Sequence, residues 1–382
     1  MARSVTKTCT IPDRVVIKDA KLFLKLVYLS YKDMYTGDFD PVYPMLEVLT
    51  RGLSKEDSLW YAFCYVGHYN LASGARAFRD YPTQVPSFPR KYPIRFQRRN
   101  LHPTGQYDRH FQSMWSLKQK YGSLAAWLED GMTGDGKHDF NYVRERVLDV
   151  HANGRWAGMK LGEVLKYTTY PHLIPCDMGH RYSAAPRKGL GYFYTDPGDN
   201  SPRTIAYLDQ CGRHLTNNVI SRLPPENISA HIMGYTFHWP WKKKDTKHDW
   251  PLDVAEMETN LCDFKSMYAG EFYSGKCADV VLLTMTDCEM VIKKEGLPAS
   301  YASSVLTPLY NARAALYDHK ILGEFSGWSG VDPKRDMWFK QYGVIPWRHE
   351  TTAEVTDLLR AGEYPGMILS GDYLKSATVK ST

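Results

Sequence analysis

HANGRWAGMKLGEVLKYTTYPHLIPCDMGHRYSAAPRKGL, residues 151–190, is the stretch whose reading decides the fold. Asn153-Gly154 marks a tight turn, a short helix follows, Pro171 breaks it, and a loop carries Asp177. Arg155 and Lys160 stand before the break; Arg181, Arg187 and Lys188 stand after it. One carboxylate among several cations, on loops beside a helix start, suits a polyanion better than a packed core. The anion is either a nucleic-acid backbone alone or a backbone together with a reacting phosphate.

Outward from this stretch the chain is expected to be mainly α with a minor β element. Phe140 to Val150 leads into it as a helix, and Phe111 to Glu129 reads as one amphipathic helix, joined to the first by the Gly-rich loop GMTGDGKHD. That loop is no Walker motif, because Lys137 is followed by His138. Further upstream, Ile17–Tyr31 has helical spacing of Leu22, Leu26 and Leu29, and a short helix runs from about Met45 to near Gly52. Ser54 with Asp57 caps the next segment, which is apolar on nearly every face from Leu59 to Val66 and is expected at the centre of a helical domain. His68, Asn70 and Arg76 fall on its later turns, and His68 is read as a core histidine. Downstream, GYFYT and TIAYL flank DPGDNSPR in the pattern of a β-hairpin. AEMETNLCDFKSMYAG then places Met257, Leu261 and Phe264 on one helical face, and two further helices follow. The expected division is 1–16, a flexible N-terminus; 17–190, a helical lobe with the hairpin-like segment; 191–250, the β-hairpin and a Pro/Trp-rich connection; 251–350, a C-terminal helical lobe; and 351–382, a polar tail.

At 382 residues with 43% hydrophobic and 24% charged content, the chain has the composition of a soluble globular protein with a sizeable core. A net charge of +6 permits nucleic-acid binding, and 27 Tyr with 10 Trp offer ring faces for stacking bases. Seven cysteines without a CxxC pair fit a reducing, cytoplasmic setting, and no apolar run is long enough to span a membrane. The Cys and His spacing fits no metal site, the G-x-S-x-G elbow of a serine hydrolase is missing, and no alternating βα pattern supports a Rossmann cofactor. Two basic patches remain: Arg95, Arg98 and Arg99 interleaved with Tyr92 and Phe96, and Lys242–Lys244 beside Trp239 and Trp241. The first fits a phosphate-tracking loop as well as it fits a solvated face.

The order helix, Asn153-Gly154 turn, helix, then a loop with Asp177 is similar to that of helix-hairpin-helix DNA glycosylases, although only one of the usual glycines is kept and the lysine nucleophile has no counterpart. The wider pattern of GRWAGMKLGEVL, Asp177-Met178, PRKGL and ETNLCDFK resembles the phage alpha-glutamyl/putrescinyl thymine pyrophosphorylases, or amino acid:DNA transferases, over roughly residues 30–340. The resemblance implies a two-lobed glycosylase-like helical fold acting on double-stranded DNA with a modified thymine. There an amino acid or polyamine would replace pyrophosphate on 5-(pyrophosphoryloxymethyl)uracil, with the host cell cytoplasm as the setting for a phage-encoded enzyme.

Under that reading Arg155, Lys160, Arg187 and Lys188 stabilise the leaving pyrophosphate, while Asp177, or else Glu258, takes the proton of the amine. Asn153 and Gly154 hold a DNA phosphate, Trp156 or Tyr182 holds the extruded base, and Arg181 joins Arg95, Arg98 and Arg99 on the DNA. For Asp177 the competing reading is a cap or a structural partner of Arg181. Glu163 is expected to pair with Lys160 or Lys166, and Cys176 to be a small buried residue. No cofactor is evident, although pyrophosphate chemistry can recruit Mg2+ from solution. A base-excising glycosylase and a non-enzymatic DNA-binding protein are the alternative functions.

Overall fold

A computed structural model of the chain describes residues 11, 14–20, 22, 23, 26, 27, 30, 42–81, 101, 106–221, 230–232, 235–237, 253–268, 284, 285 and 288–316. These are mainly helical, as expected, and fall into two compact units that interleave along the sequence. One unit takes the described residues within Asp40–Cys176 and Gly275–Ile345; the other takes those within Met1–Phe39 and Asp177–Ser274. The change of unit between Cys176 and Asp177 falls inside the stretch quoted above.

The first unit is built from α1 (Val42–Thr50), α2 (Lys55–His68), α3 (Leu71–Asp80), α4 (Gln106–Tyr121), α5 (Leu124–Glu129), α6 (Gly136–Arg146) and α7 (Arg155–Tyr167), with a helix α11 (Ala299–Leu316) from late in the chain. The Ser54 cap forms as expected, its hydroxyl accepting the Asp57 N–H at 3.1 Å. Helix α2 is the buried centre, with every residue from Ser58 to His68 buried. Trp60 meets Phe111 edge-on at 5.9 Å and Phe63 lies 6.1 Å from Trp127. Each such ring contributes roughly 1.5–3 kcal/mol by leaving water.

Two helices expected to be continuous are broken. Residues 55–80 divide at Tyr69, which is left-handed (φ 48°), and Asn70 caps α3 by accepting the Ser73 N–H at 2.9 Å. The turn is tight because Gly74 lies on the Tyr65 backbone, where a Cβ would come within 2.8 Å of the Tyr65 Cα. The Phe111–Glu129 pattern likewise divides at Gly122 (φ 86°), and Ser123 and Glu56 supply acceptors to the first N–H groups of α5. In both places a local side-chain cap outweighs an apolar periodicity that runs on through it.

The second unit contains α8 (Ala185–Leu190), α9 (Pro202–Ile220), α10 (Val254–Tyr268) and helical residues between 20 and 30. The expected hairpin of GYFYT with TIAYL does not form. TIAYL is the second turn onward of α9, whose start is set by Ser201 accepting the Thr204 N–H and by Pro202 at the first helical position. GYFYT instead pairs with the N-terminal segment, Lys18 N–H donating to the Phe193 carbonyl at 3.0 Å. The Lys18 ammonium caps the carbonyls of Gly191 (2.6 Å) and Tyr194 (3.0 Å) just past α8, where the helix dipole favours a cation. The only strands among the described residues are β1 (Ala230–Ile232) and β2 (Tyr235–Phe237), an antiparallel pair. Met257, Leu261 and Phe264 are fully buried on one face of α10, as their spacing requires.

Candidate functional site

In the first unit α6 and α7 form a helical hairpin. A 3-10 turn at Val147–Asp149 ends α6, and the chain reverses through residues 150–154. The left-handed residue of the reversal is Ala152 (φ 63°), whereas Gly154 is extended and caps α7. The turn is held from several sides. The Asn153 amide donates to the Val147 carbonyl (3.0 Å), the His151 N–H donates to Ser113 Oγ (2.9 Å), and the His151 carbonyl lies 2.7 Å from His110 Nδ1. Glycine also lets the two helices close. A Cβ at Gly158 would stand 2.5 Å from the Arg144 carbonyl, and one at Gly162 would stand 3.1 Å from the Phe140 ring.

At the tip of this hairpin no side chain caps the start of α7, and a Cβ on Gly154 would meet nothing within 4 Å. The first N–H groups of α7 have no intrahelical partner and carry the positive end of the dipole, the arrangement that holds phosphate. Arg155 is exposed beside them. Trp156 is half-buried, packed edge-on against Tyr69 at 4.8 Å, so the aromatic residue at the tip is a pair whose second member was not expected. Lys160, one helix turn further, turns away from Arg155 into the core. Its ammonium donates to Glu163 Oε2 at 2.7 Å, and the Tyr43 hydroxyl donates to the same oxygen at 2.8 Å. The pairing of Glu163 with Lys160 is as read from the sequence, but all three side chains are buried. To meet a leaving group, Lys160 would have to abandon that pair.

The other nominated residues belong to the second unit. Asp177 is half-buried and heads a turn, its carboxylate accepting the Gly179 N–H at 2.7 Å. Arg181 is exposed and Tyr182 half-buried on the same turn. Arg187 is fixed in place: two bonds to Asp196 (2.7 and 2.5 Å), one to Asn200 (2.7 Å) and one to the Asp199 carbonyl (2.8 Å). The bidentate Arg187 guanidinium holds the Asp196 carboxyl below its usual range. Arg187 thus organises the loop before α9, and an incoming anion would compete with Asp196, whereas the adjacent Lys188 is exposed. Helix α8, which carries PRKGL, lies directly on α10, which carries ETNLCDFK. A Cβ on Gly189 would come within 2.6 Å of the Leu261 carbonyl. Glu258 is buried on α10, so neither it nor Lys160 presents its charge to solvent.

His180 was not nominated. Its side chain is fully buried, and neither ring nitrogen has a hydrogen-bond partner. Burial pushes its pKa down to about 4, against the opposing charge of Asp177 and a Leu208 carbonyl too poorly aligned to count as a bond. A second unexpected group lies in the first unit, where Asp139 is buried at the start of α6. It accepts the N–H groups of Thr133 (2.7 Å) and Gly134 (2.8 Å) and lies 3.0 Å from His138 and 3.1 Å from His172. Burial alone would raise its pKa, but these bonds outweigh burial and hold the carboxyl well below the usual range. His68 is a core histidine, with Cys64 and Tyr107 at 2.7 Å from its two nitrogens. Cys176 is half-buried rather than buried, its thiol facing Asn141 at 3.3 Å. Arg95, Arg98, Arg99 and the Lys242–Lys244 patch lie outside the described residues. Among the described residues no three His, Cys, Asp or Glu side chains gather as a metal site, and no helix is long and apolar enough to cross a membrane.

Comparison with known proteins gives one family. The model described as "Amino acid:DNA transferase" matches residues 34–273, a span that includes the hairpin, Asp177, PRKGL and ETNLCDFK. No curated protein matches the chain.

Proposed function

The chain belongs to the amino acid:DNA transferase family, and from that premise we propose that it replaces the pyrophosphate of 5-(pyrophosphoryloxymethyl)uracil in double-stranded DNA with the amine of an amino acid or polyamine. The exocyclic C–O bond breaks with its electron pair leaving on pyrophosphate, a C–N bond forms, and the amine gives up one proton. The glycosidic bond stays intact.

In this reading Asp177 takes the proton. It is the half-buried carboxylate of the turn that carries Arg181 and Tyr182, at hydrogen-bonding reach for a group arriving from solvent. Lys188 and Arg181, both exposed, meet the leaving pyrophosphate, while Arg187 holds the loop behind them through Asp196. Mg2+ enters as a counter-ion carried by pyrophosphate. The tip of the α6–α7 hairpin, with Asn153 setting the turn, Gly154 capping and Arg155 exposed, holds a DNA phosphate. Trp156 with Tyr69, and Tyr182, supply the ring faces for an extruded base.

The observation that carries the reading is that PRKGL and ETNLCDFK, two motifs well apart in sequence, lie against each other through Gly189 and Leu261 in the same unit as Asp177. The test is to incubate the protein with DNA containing the pyrophosphorylated base and a panel of amines, digest to nucleosides, and analyse by mass spectrometry. A new amine-bearing nucleoside is expected. Abasic sites in its place would mark a glycosylase, and salt-dependent binding with unaltered DNA would mark a binding protein.

A further inference from the structure

A buried histidine without hydrogen bonds calls for a cause, because an unsatisfied buried polar group costs about 1–3 kcal/mol. His180 is held in that position by its own turn. Asp177 accepts the Gly179 N–H, Gly179 is left-handed (φ 65°), and the N–H groups of Tyr182 and Ser183 both bond the Gly179 carbonyl at 2.7 and 2.8 Å. Next to it Met178, buried, fits the notch left by Gly212 on α9, where a Cβ would come within 2.7 Å of its sulfur. This clamp sets the His180 ring against α9, with Nε2 4.0 Å from Asp209 Oδ1. The charged groups around the ring are Asp177, Arg187, Asp196 and Asp209.

We propose that His180 is a positioning residue for amine transfer: backed by Asp209, it accepts the hydrogen bond that Asp177 offers once that carboxylate has taken the amine's proton. The inference rests on the reading of Asp177 as the proton acceptor. The ring suits the task because its Nε2 side faces a carboxylate. With the ring proton on that side, Nδ1 keeps a lone pair directed away from Asp209. A gap of 4.0 Å between ring and carboxylate is of the size that closes when a substrate complex forms. The balance is simple. The amine N–H bond breaks, its electron pair goes into the new C–N bond, and the proton rests on Asp177 hydrogen-bonded to His180. The exocyclic C–O bond breaks with its pair on pyrophosphate. The neutral state that burial imposes on the ring keeps that lone pair available at neutral pH.

The test is a double-mutant cycle in single-turnover amine transfer, with wild-type activity established first. His180→Leu is expected to slow transfer about tenfold or more at neutral pH while leaving DNA affinity unchanged. Its Tm is expected to equal or exceed that of the wild type, since Leu fills the space without an unpaired nitrogen, whereas a structural histidine would lose stability on the same change. His180→Gln, which keeps an acceptor, is expected to recover much of the rate. Asp177→Asn/His180→Leu should be no slower than Asp177→Asn alone, as for two groups acting as one unit. Additive losses, or a His180→Leu protein as fast as the wild type, would overturn the assignment while leaving the transferase reading standing. A wild-type protein that modifies no DNA with any amine would remove that reading and this inference with it.

Discussion

Replacing Gly189 by alanine tests the contact between α8 and α10 on which the candidate site depends. The new Cβ would stand 2.6 Å from the Leu261 carbonyl oxygen, 2.8 Å from its Cβ and 3.0 Å from its carbonyl carbon. Ordinary contact begins near 3.4 Å, so the helices must part by roughly 0.8 Å. Two of the three atoms are backbone and cannot rotate aside. Overpacking of this kind costs about 1–3 kcal/mol, while alanine in a helix returns up to about 1 kcal/mol relative to glycine. The net expectation is a loss of about 1–2 kcal/mol, or a Tm lower by roughly 2–8 °C. Transfer activity should fall by more than stability predicts, because PRKGL moves relative to ETNLCDFK. Gly154→Ala is the control: its φ is −90° and its Cβ would meet nothing, so stability should be unchanged or slightly higher. Urea denaturation and single-turnover transfer on both variants decide the matter. A Gly189→Ala protein as stable and as active as Gly154→Ala would refute the reasoning that this contact organises the site.

Other consequences follow from individual groups. Lys160→Met should cost about 3–5 kcal/mol, because it strands Glu163 as an uncompensated buried charge, whereas Lys160→Met with Glu163→Leu should recover most of it; chemical denaturation of the two variants measures the difference. Asp139→Asn should cost about 1.5–3 kcal/mol at neutral pH through its charge-assisted bonds. Because the folded Asp139 carboxyl titrates below its unfolded value, that stabilisation is fully present above about pH 4–5 and is lost as pH falls toward the folded value. The gap between wild type and Asp139→Asn should therefore be flat from pH 7 to 5 and shrink in stronger acid, as thermal melts across pH will show. Arg155→Ala should lower the slope of log K against log salt for DNA binding by about one, with stability unchanged; an unaltered slope would exclude a phosphate contact at the hairpin tip.

Much of this architecture is legible in the sequence, and the exceptions have physical reasons. The apolar spacing of Met257, Leu261 and Phe264, the Ser54 cap and the Asn153-Gly154 reversal are all local signals, and all three form. The hairpin of GYFYT with TIAYL fails because strand-like residues in TIAYL sit directly behind a Ser-Pro helix start, which overrides their β propensity. The break at Tyr69 has a weak signal in Asn70, a capping residue hidden inside an apolar run. The glycines at 154, 158 and 162, four apart, carry a readable sign of close helix packing that the turn alone obscured. What the sequence does not disclose is which charges are already engaged. Arg187 and Lys188 are neighbours, yet one is bonded to Asp196 and the other is exposed. Nothing in the periodicity of PRKGL distinguishes them, because the carboxylate that does so comes from a loop after the helix. His180 is invisible for the same reason: its burial depends on Met178 entering the Gly212 notch on α9.

The central claim is that an amine displaces pyrophosphate from a base in DNA. It is tested most directly by measuring, in one reaction, the pyrophosphate released and the amine-bearing nucleoside formed. The account predicts equal amounts of the two, intact glycosidic bonds, and loss of both products in Asp177→Asn. Pyrophosphate released without a new nucleoside, or abasic sites in its place, would contradict it.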